Sequence, residues 1–214
     1  MPSTLVHVAL AGLLAAALLP DRYATRGAML AVLLAAALPD LDSLVSPVLA
    51  GAHRSLGHNV LLPALVTVAL GYDLRVRDSS RLRDRFGTAA SPVAWTCLAA
   101  FLLAGVGLDY VSNGVNLFWP VHDRFYSLNG DLLLSSRRGV VQSFVDLSPP
   151  TESEPVRTTE NLHYSTGVDP SPGVESGTVD RVFPVVSAGW QLLLVAVGAL
   201  AVALKLRRGP TVRD

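Results

Sequence analysis

Three histidines and three aspartates stand in or beside long apolar runs of this 214-residue chain, and they are the residues best suited to chemistry. His7 interrupts the first run, and Asp40 and Asp42 follow the second in "LPDLDS". His53 and His58 flank Arg54 in "HRSLGHN", ahead of the third, and Asp109 stands with Asn113 in "GLDYVSNGVN", closing the fourth. Imidazole nitrogens combined with carboxylate oxygens suit a divalent cation, zinc first, with manganese and iron also compatible. Such a cation lowers the pKa of bound water to about 7 and polarises a phosphoryl or carbonyl oxygen.

Each of these residues alone also has a structural reading. His7 can be an interhelical hydrogen bonder, and the aspartates of "PDLDS" can cap a helix. "HRSLGH" can be a loop that meets lipid head groups, and Asp109 can pair with an arginine. Ionisable residues inside membranes are costly, however, and default to functional roles. Their gathering at one end of the apolar segments favours a metal centre. His7, Asp40, His53, His58 and Asp109 are the expected ligands, with Asp42 as a further ligand or as the general base for water. Arg54 is expected to face an anionic substrate group, because its planar fork matches phosphate. An extended "DLD" would send both carboxylates to one side. Asp109 and Asn113 are four apart and share a helical face, as do Arg54 and His58 if the third helix begins that early.

The elements that must position these residues are apolar runs at residues 5–19, 27–38, 56–74, 93–111 and 186–204. Half of the chain is hydrophobic and 16% is charged, against about 25% in soluble domains. The fold class expected is therefore all-α, an integral membrane bundle of about five transmembrane helices with a long extracytoplasmic loop before the last. Zero net charge offers nothing to a nucleic acid. Cys97 is the only cysteine, which excludes an intrachain disulfide and a thiolate metal cluster. The first run lacks the positive n-region of a cleaved signal, and His7 breaks it, so it is expected to remain as a helix. Alanine-rich stretches such as "LLAAALLP" let membrane helices approach closely.

Orientation follows from basic residues in short loops. Arg22 and Arg26, the five arginines of "RVRDSSRLRDRF", and the tail with Lys205, Arg207, Arg208 and Arg213 fall on one side if there are five spans. That side is expected to be cytoplasmic, placing the N-terminus and the polar cluster outside a multi-pass cell-membrane protein. Residues 1–125 then form the membrane domain and 126–185 the extracytoplasmic segment. Residues 186–206 are the last span and 207–214 a basic cytoplasmic tail. Within the outer segment, "FWPVHDRFYSLNGDLLLSSRRGVVQSF" has enough apolar residues to fold against the bundle. Residues 148–180 are rich in Pro, Ser, Thr, Gly and Glu and are expected to be loosely held.

The order of these motifs resembles the YdjM-like family of membrane-bound metal-dependent hydrolases over residues 1–125. That family's first-helix histidine is matched by His7, its L-P-D-x-D element by residues 38–42, and its H-R-x-x-T-H-S element by "HRSLGHN". Its closing G-V-x-L-x-W-P is matched by "GVNLFWP", preceded by Asp109. Gly105 stands where the family's H-x-x-x-D histidine belongs, and Gly57 and Asn59 replace Thr and Ser around His58. A missing ligand at Gly105 would leave a coordination position open to water or substrate, or a site without its chemistry. The layout is distantly similar to zinc-dependent phospholipase C, which implies phosphoester hydrolysis. The function expected is a hydrolase of a phosphoester or lipid-derived substrate, partnered by membrane lipid. The alternative is a non-catalytic metal-binding or scaffold protein. A transporter ranks below both, since transport sites usually lie near the bilayer midplane.

Overall fold

The computed structural model describes residues 2–144, 155–173 and 177–209. Their α-helices are α1 (Thr4–Leu18), α2 (Arg26–Ala37), α3 (Leu61–Gly71), α4 (Arg81–Phe86), α5 (Ala90–Ala99), α6 (Leu108–Ser112) and α7 (Gly189–Arg208). A π-helical segment, Tyr72–Val76, prolongs α3, and a second, Ala100–Gly107, joins α5 to α6. α5, the second π segment and α6 run on as one helix, Ala90–Ser112.

Crossing a hydrocarbon core of about 30 Å takes about 20 helical residues. Of the five expected spans, two reach that length: Ala90–Ser112 with 23 residues and Gly189–Arg208 with 20. α1 has 15 residues, α2 has 12 and α3 has 11. α2 stops at Ala37 because Pro39 cannot continue a helix. Residues 52–60, expected in part to open the third helix, form a turn-rich polar loop instead, and α3 starts at Leu61.

The packing of the bundle is small inside and large outside. Its core joins Ala11 and Ala15 of α1 to Val32 and Ala36 of α2 and to Ala100 and Ala104 of the π segment. Leu30, Leu34, Leu65, Val68 and Leu193 point outward and are exposed. Small residues at helix contacts with large aliphatics on the outer surface are the pattern of helices packed in lipid. α1 and α7 approach so closely that a Cβ on Gly198 would meet the Ala9 carbonyl oxygen at 2.5 Å. The basic segments share one end: Lys205 of α7 pairs with Asp21 of the α1–α2 turn at 2.7 Å, and Tyr23 beside it bonds Thr88, just ahead of α5.

Beyond α6 the chain leaves the all-α pattern. Val115 and Tyr126 form an antiparallel bridge, burying Val115 and Phe125. β1 (Leu132–Ser135) and β2 (Gly139–Gln142) make an antiparallel hairpin, Leu132 opposite Gln142, that stands in solvent rather than against the bundle. Residues 155–173 are not loose where they are described. Phe125 N–H donates to Arg157 O at 2.9 Å, and Thr159 bonds the Asp123 carboxylate through its N–H and its hydroxyl. Polar side chains there satisfy backbone groups, a role that low hydrophobicity does not reveal. Residues 148–154 and 174–176 of the expected loose segment lie outside the described residues, as do residues 145–147 and the tail beyond residue 209.

Candidate metal centre

The site lies at the end of the bundle opposite the basic segments, and four pieces of chain build it. α1 supplies His7, fully buried. The His7 ring hydrogen-bonds the Ala104 carbonyl through Nδ1. A carbonyl only accepts, so Nδ1 carries the proton and Nε2 keeps its lone pair. Nε2 has no hydrogen-bond partner. It lies 3.7 Å from Asp109 Oδ1 and 3.9 Å from Asp40 Oδ1. Ala104 belongs to the π-helical segment, a wide turn frequent at functional sites.

The second piece is the turn after α2. Pro39–Leu44 is a 3-10 helix, not the extended "DLD" expected, and this parts the two carboxylates. At three residues per turn, side chains two apart diverge. Asp40 turns toward His7, with Thr4 donating to its Oδ2. Asp42 turns the other way, into the loop of residues 52–60. Its Oδ1 accepts from His53 Nδ1 at 2.8 Å. Its Oδ2 accepts from Arg54 N at 3.0 Å, Gly57 N at 3.1 Å and His58 Nδ1 at 2.9 Å.

That loop is the third piece. The chain reverses at Arg54, whose φ of 66° is left-handed, and Gly57 lies against the Pro39 turn with no room for a side chain. Asp42 sets the His58 tautomer as Ala104 sets that of His7, and His58 Nε2 is also buried without a hydrogen bond. It faces Asp109 Oδ2 at 3.0 Å and Asp40 Oδ1 at 3.5 Å. The last piece, α6, supplies Asp109, buried and held by Arg54 at 2.6 Å.

The structure thus brings His7, Asp40 and Asp109 together, with one ligand atom from each within 4.8 Å of the others, and it sets His58 Nε2 beside the two carboxylates. Three expected roles change. His53 stands behind Asp42, its ring edge-on to His58 at 5.8 Å, and is not one of the group. Asp42 spends both oxygens on four donors, which suits it to orient His58 rather than to ligate or to take a water proton. Arg54 is fully buried and its guanidinium bonds Asp109 and the Gly114 carbonyl, so it steadies Asp109 as well as bordering the cavity beside the group. Asn113 contributes its backbone carbonyl, to Tyr164, and no side chain to the group. At Gly105 a Cβ would meet the Pro39 ring at 2.8 Å and the Ala36 carbonyl at 3.1 Å, so the turn carrying Asp40 packs directly on this position.

The charges of the group call for a cation. Arg54 pairs with Asp109, whereas Asp40 and Asp42 have only histidines as charged partners, which leaves two negative charges for protons or a cation to balance. Burial raises the Asp40 pKa, but the His58 contact, the charges of His7 and His58 and the Thr4 hydroxyl outweigh it and bring Asp40 down to about 2. Burial likewise opposes the ionisation of Asp42, and its contacts with His53 and His58 overcome it and lower its pKa. Burial disfavours a charged His58, yet Asp109, Asp40 and Asp42 around it push its pKa well above the ordinary imidazole value. A proton on His58 fills part of the need that a divalent cation between neutral imidazoles would fill completely. Once His58 gives up that proton, two buried imidazole nitrogens, aimed among carboxylates and fixed from behind, fit such an ion.

A family model described as YdjM inner membrane protein matches residues 1–156. The chain belongs to the YdjM inner membrane protein family. It is accordingly a membrane protein, and the match takes in every residue of the His/Asp group and the bridge after α6. No curated protein and no solved structure matches the chain significantly. Within this YdjM member, sequence reasoning missed Thr4, the Ala104 carbonyl and Tyr164. Tyr164 is the one large aromatic in its polar tract, a signal that was available. Nothing in residue type marks a backbone carbonyl.

Proposed function

We propose that this YdjM family member is a membrane-bound, metal-dependent hydrolase of a phosphoester or lipid-derived substrate. The observation that carries the reading is the convergence of two buried Nε2 atoms, unpartnered on His7 and ion-paired on His58, with the Asp40 and Asp109 carboxylates. His7, Asp40 and Asp109 hold a divalent cation, zinc first with manganese or iron as alternatives, and His58 is the fourth donor. Such a cation supplies Lewis-acid polarisation of a phosphoryl oxygen and a water nucleophile ionising near neutral pH. Asp42 keeps His58 Nε2 aimed inward, and Arg54 keeps Asp109 in place. The site sits at the outer membrane face, with the basic segments and the C-terminus in the cytoplasm.

A second reading, a non-catalytic metal-binding scaffold, draws support from the saturation of Asp42 by four donors, which leaves it no acceptor free for a water proton. Elemental analysis of the purified chain, together with hydrolysis of aryl phosphates, separates the two. About one divalent cation per chain, lost in both His7→Ala and Asp109→Asn along with hydrolysis, is the expected result. Metal that follows the ligands without any phosphoester hydrolysis supports the scaffold. A chain that binds no divalent cation overturns both.

A further inference from the structure

A cavity of about 210 Å³ borders the His/Asp group, with Asp40, Asp109, His53 and Arg54 among its walls. Its opposite wall comes from later in the chain: residues 165–168, with Phe183 and Pro184 just ahead of α7. All of these lie beyond the residues matched by the family model, which end at 156. The metal-binding half of the pocket is therefore family-matched chain, and the covering half is not.

The covering half is a fixed structure. Thr166 Oγ1 accepts from Asp169 N at 2.9 Å and Val168 N at 3.2 Å, closing a tight turn. Arg181 donates to the Gly167 and Val168 carbonyls at 3.1 and 3.0 Å. The Phe183 ring lies on Gly167 so closely that a Cβ there would come within 2.5 Å of it. Tyr164 anchors the near end: its ring lies 4.7 Å from the Arg54 guanidinium carbon, and its hydroxyl donates to the Asn113 carbonyl at 2.8 Å. The ring stacks on a buried guanidinium, a cation–π contact that desolvation strengthens, so the roof is tied to the residue that holds Asp109.

We infer that this roof, centred on residues 165–168 and Phe183, selects the substrate, admitting a small phosphoester head group and excluding bulky ones. Ligand pockets commonly run from about 300 to 1,000 Å³, and 210 Å³ accommodates a phosphate with a few further atoms. The substrate class rests on the hydrolase reading above, whereas the size limit rests on the roof alone.

The test uses the 214-residue chain with its native thiol removed by Cys97→Ser and a reporter thiol placed in the cavity wall by Ser43→Cys. Small and bulky methanethiosulfonates are compared, each normalised to a chain carrying Ser136→Cys on the exposed hairpin turn instead. The small reagent should react at least about tenfold faster than the bulky one, the factor set by ~1.4 kcal/mol of exclusion. Phe183→Ala should bring the two rates together. Equal rates under the intact roof, or a ratio that Phe183→Ala leaves unchanged, overturn the proposal, and neither readout needs metal or activity. In the metal-loaded protein, Phe183→Ala should likewise narrow a preference for phenyl phosphate over the phosphate ester of a large polycyclic alcohol. If the thiol probes are discriminated and neither ester is hydrolysed, the hydrolase reading falls, taking the substrate class with it while the size limit stands.

Discussion

Replacing Asp42 by asparagine separates a carboxylate that orients a ligand from one that is itself a ligand or a base. Asp42 accepts four hydrogen bonds, three on Oδ2 and one on Oδ1. The asparagine oxygen keeps most by taking the Oδ2 position, and its NH₂ then faces His53 Nδ1, which must give up its proton to the other ring nitrogen. Each of the three retained bonds changes from charge-assisted to neutral, about 1 kcal/mol apiece, so stability falls by about 3 kcal/mol. His58 stays aimed but becomes a weaker donor. Loss of such a supporting carboxylate costs about 10–100-fold in metal affinity, which is about 1.4–2.7 kcal/mol. Zinc titration against a competing chelator reads the affinity, and thermal unfolding of the same samples reads the fold. A folded variant with affinity within about twofold of the parent, well outside that 10–100-fold range, would refute the orienting role. Complete loss of metal with an unchanged unfolding temperature would refute it the other way, making Asp42 a ligand.

Metal uptake should release a proton and strengthen as pH rises through neutrality, because His58, raised above the ordinary imidazole value, must surrender its proton to bind; calorimetry in buffers of different ionisation enthalpy measures it. In the metal-free chain the His58 contribution is complete below the unfolded value of about 6.5 and is lost as pH rises through the folded one. The Asp40 contribution has the opposite sign, present above about pH 4 and lost as pH falls toward the folded value of about 2. Thermal unfolding across pH should therefore show a decline at both ends. Gly57→Ala should cost about 1–3 kcal/mol, since its Cβ would collide with the Pro39 carbonyl oxygen, and should weaken metal binding through the displaced Asp40 turn. Gly71→Ala, with nothing within 4 Å, is the control and should stabilise α3, where alanine is favoured over glycine by up to about 1 kcal/mol.

The residue types of the centre were legible because a membrane-like composition makes every histidine and aspartate conspicuous. The helices were legible because apolar runs mark them. His7, Asp40, His58 and Asp109 could be named before any fold was known, since each stands where an apolar run ends or is broken. Helix lengths were less so. Hydropathy does not distinguish "HRSLGHNVLL" as a helix start from a loop that borders one, and the difference was made by Asp42, which captures two backbone N–H groups of that loop. The hairpin of residues 132–142 and the pinned segment 155–173 were hidden for a related reason, because paired backbone groups hold them more than burial does.

What the sequence by itself determined was the pool of candidate His and Asp residues, their order along the chain and their placement at the ends of apolar segments, all local properties of residue type and periodicity. Which donors share one centre was decided only by the tertiary structure. A 3-10 turn after Pro39 sends Asp40 and Asp42 apart, and the reversal at Arg54 swings His58 inward while His53 stays behind Asp42. Arg54 gains a support for Asp109 that its local sequence does not announce, and the fold closes Tyr164 over it. Each outcome depends on a backbone direction set by contacts between segments far apart in the chain, and no local pattern of residue types encodes those directions.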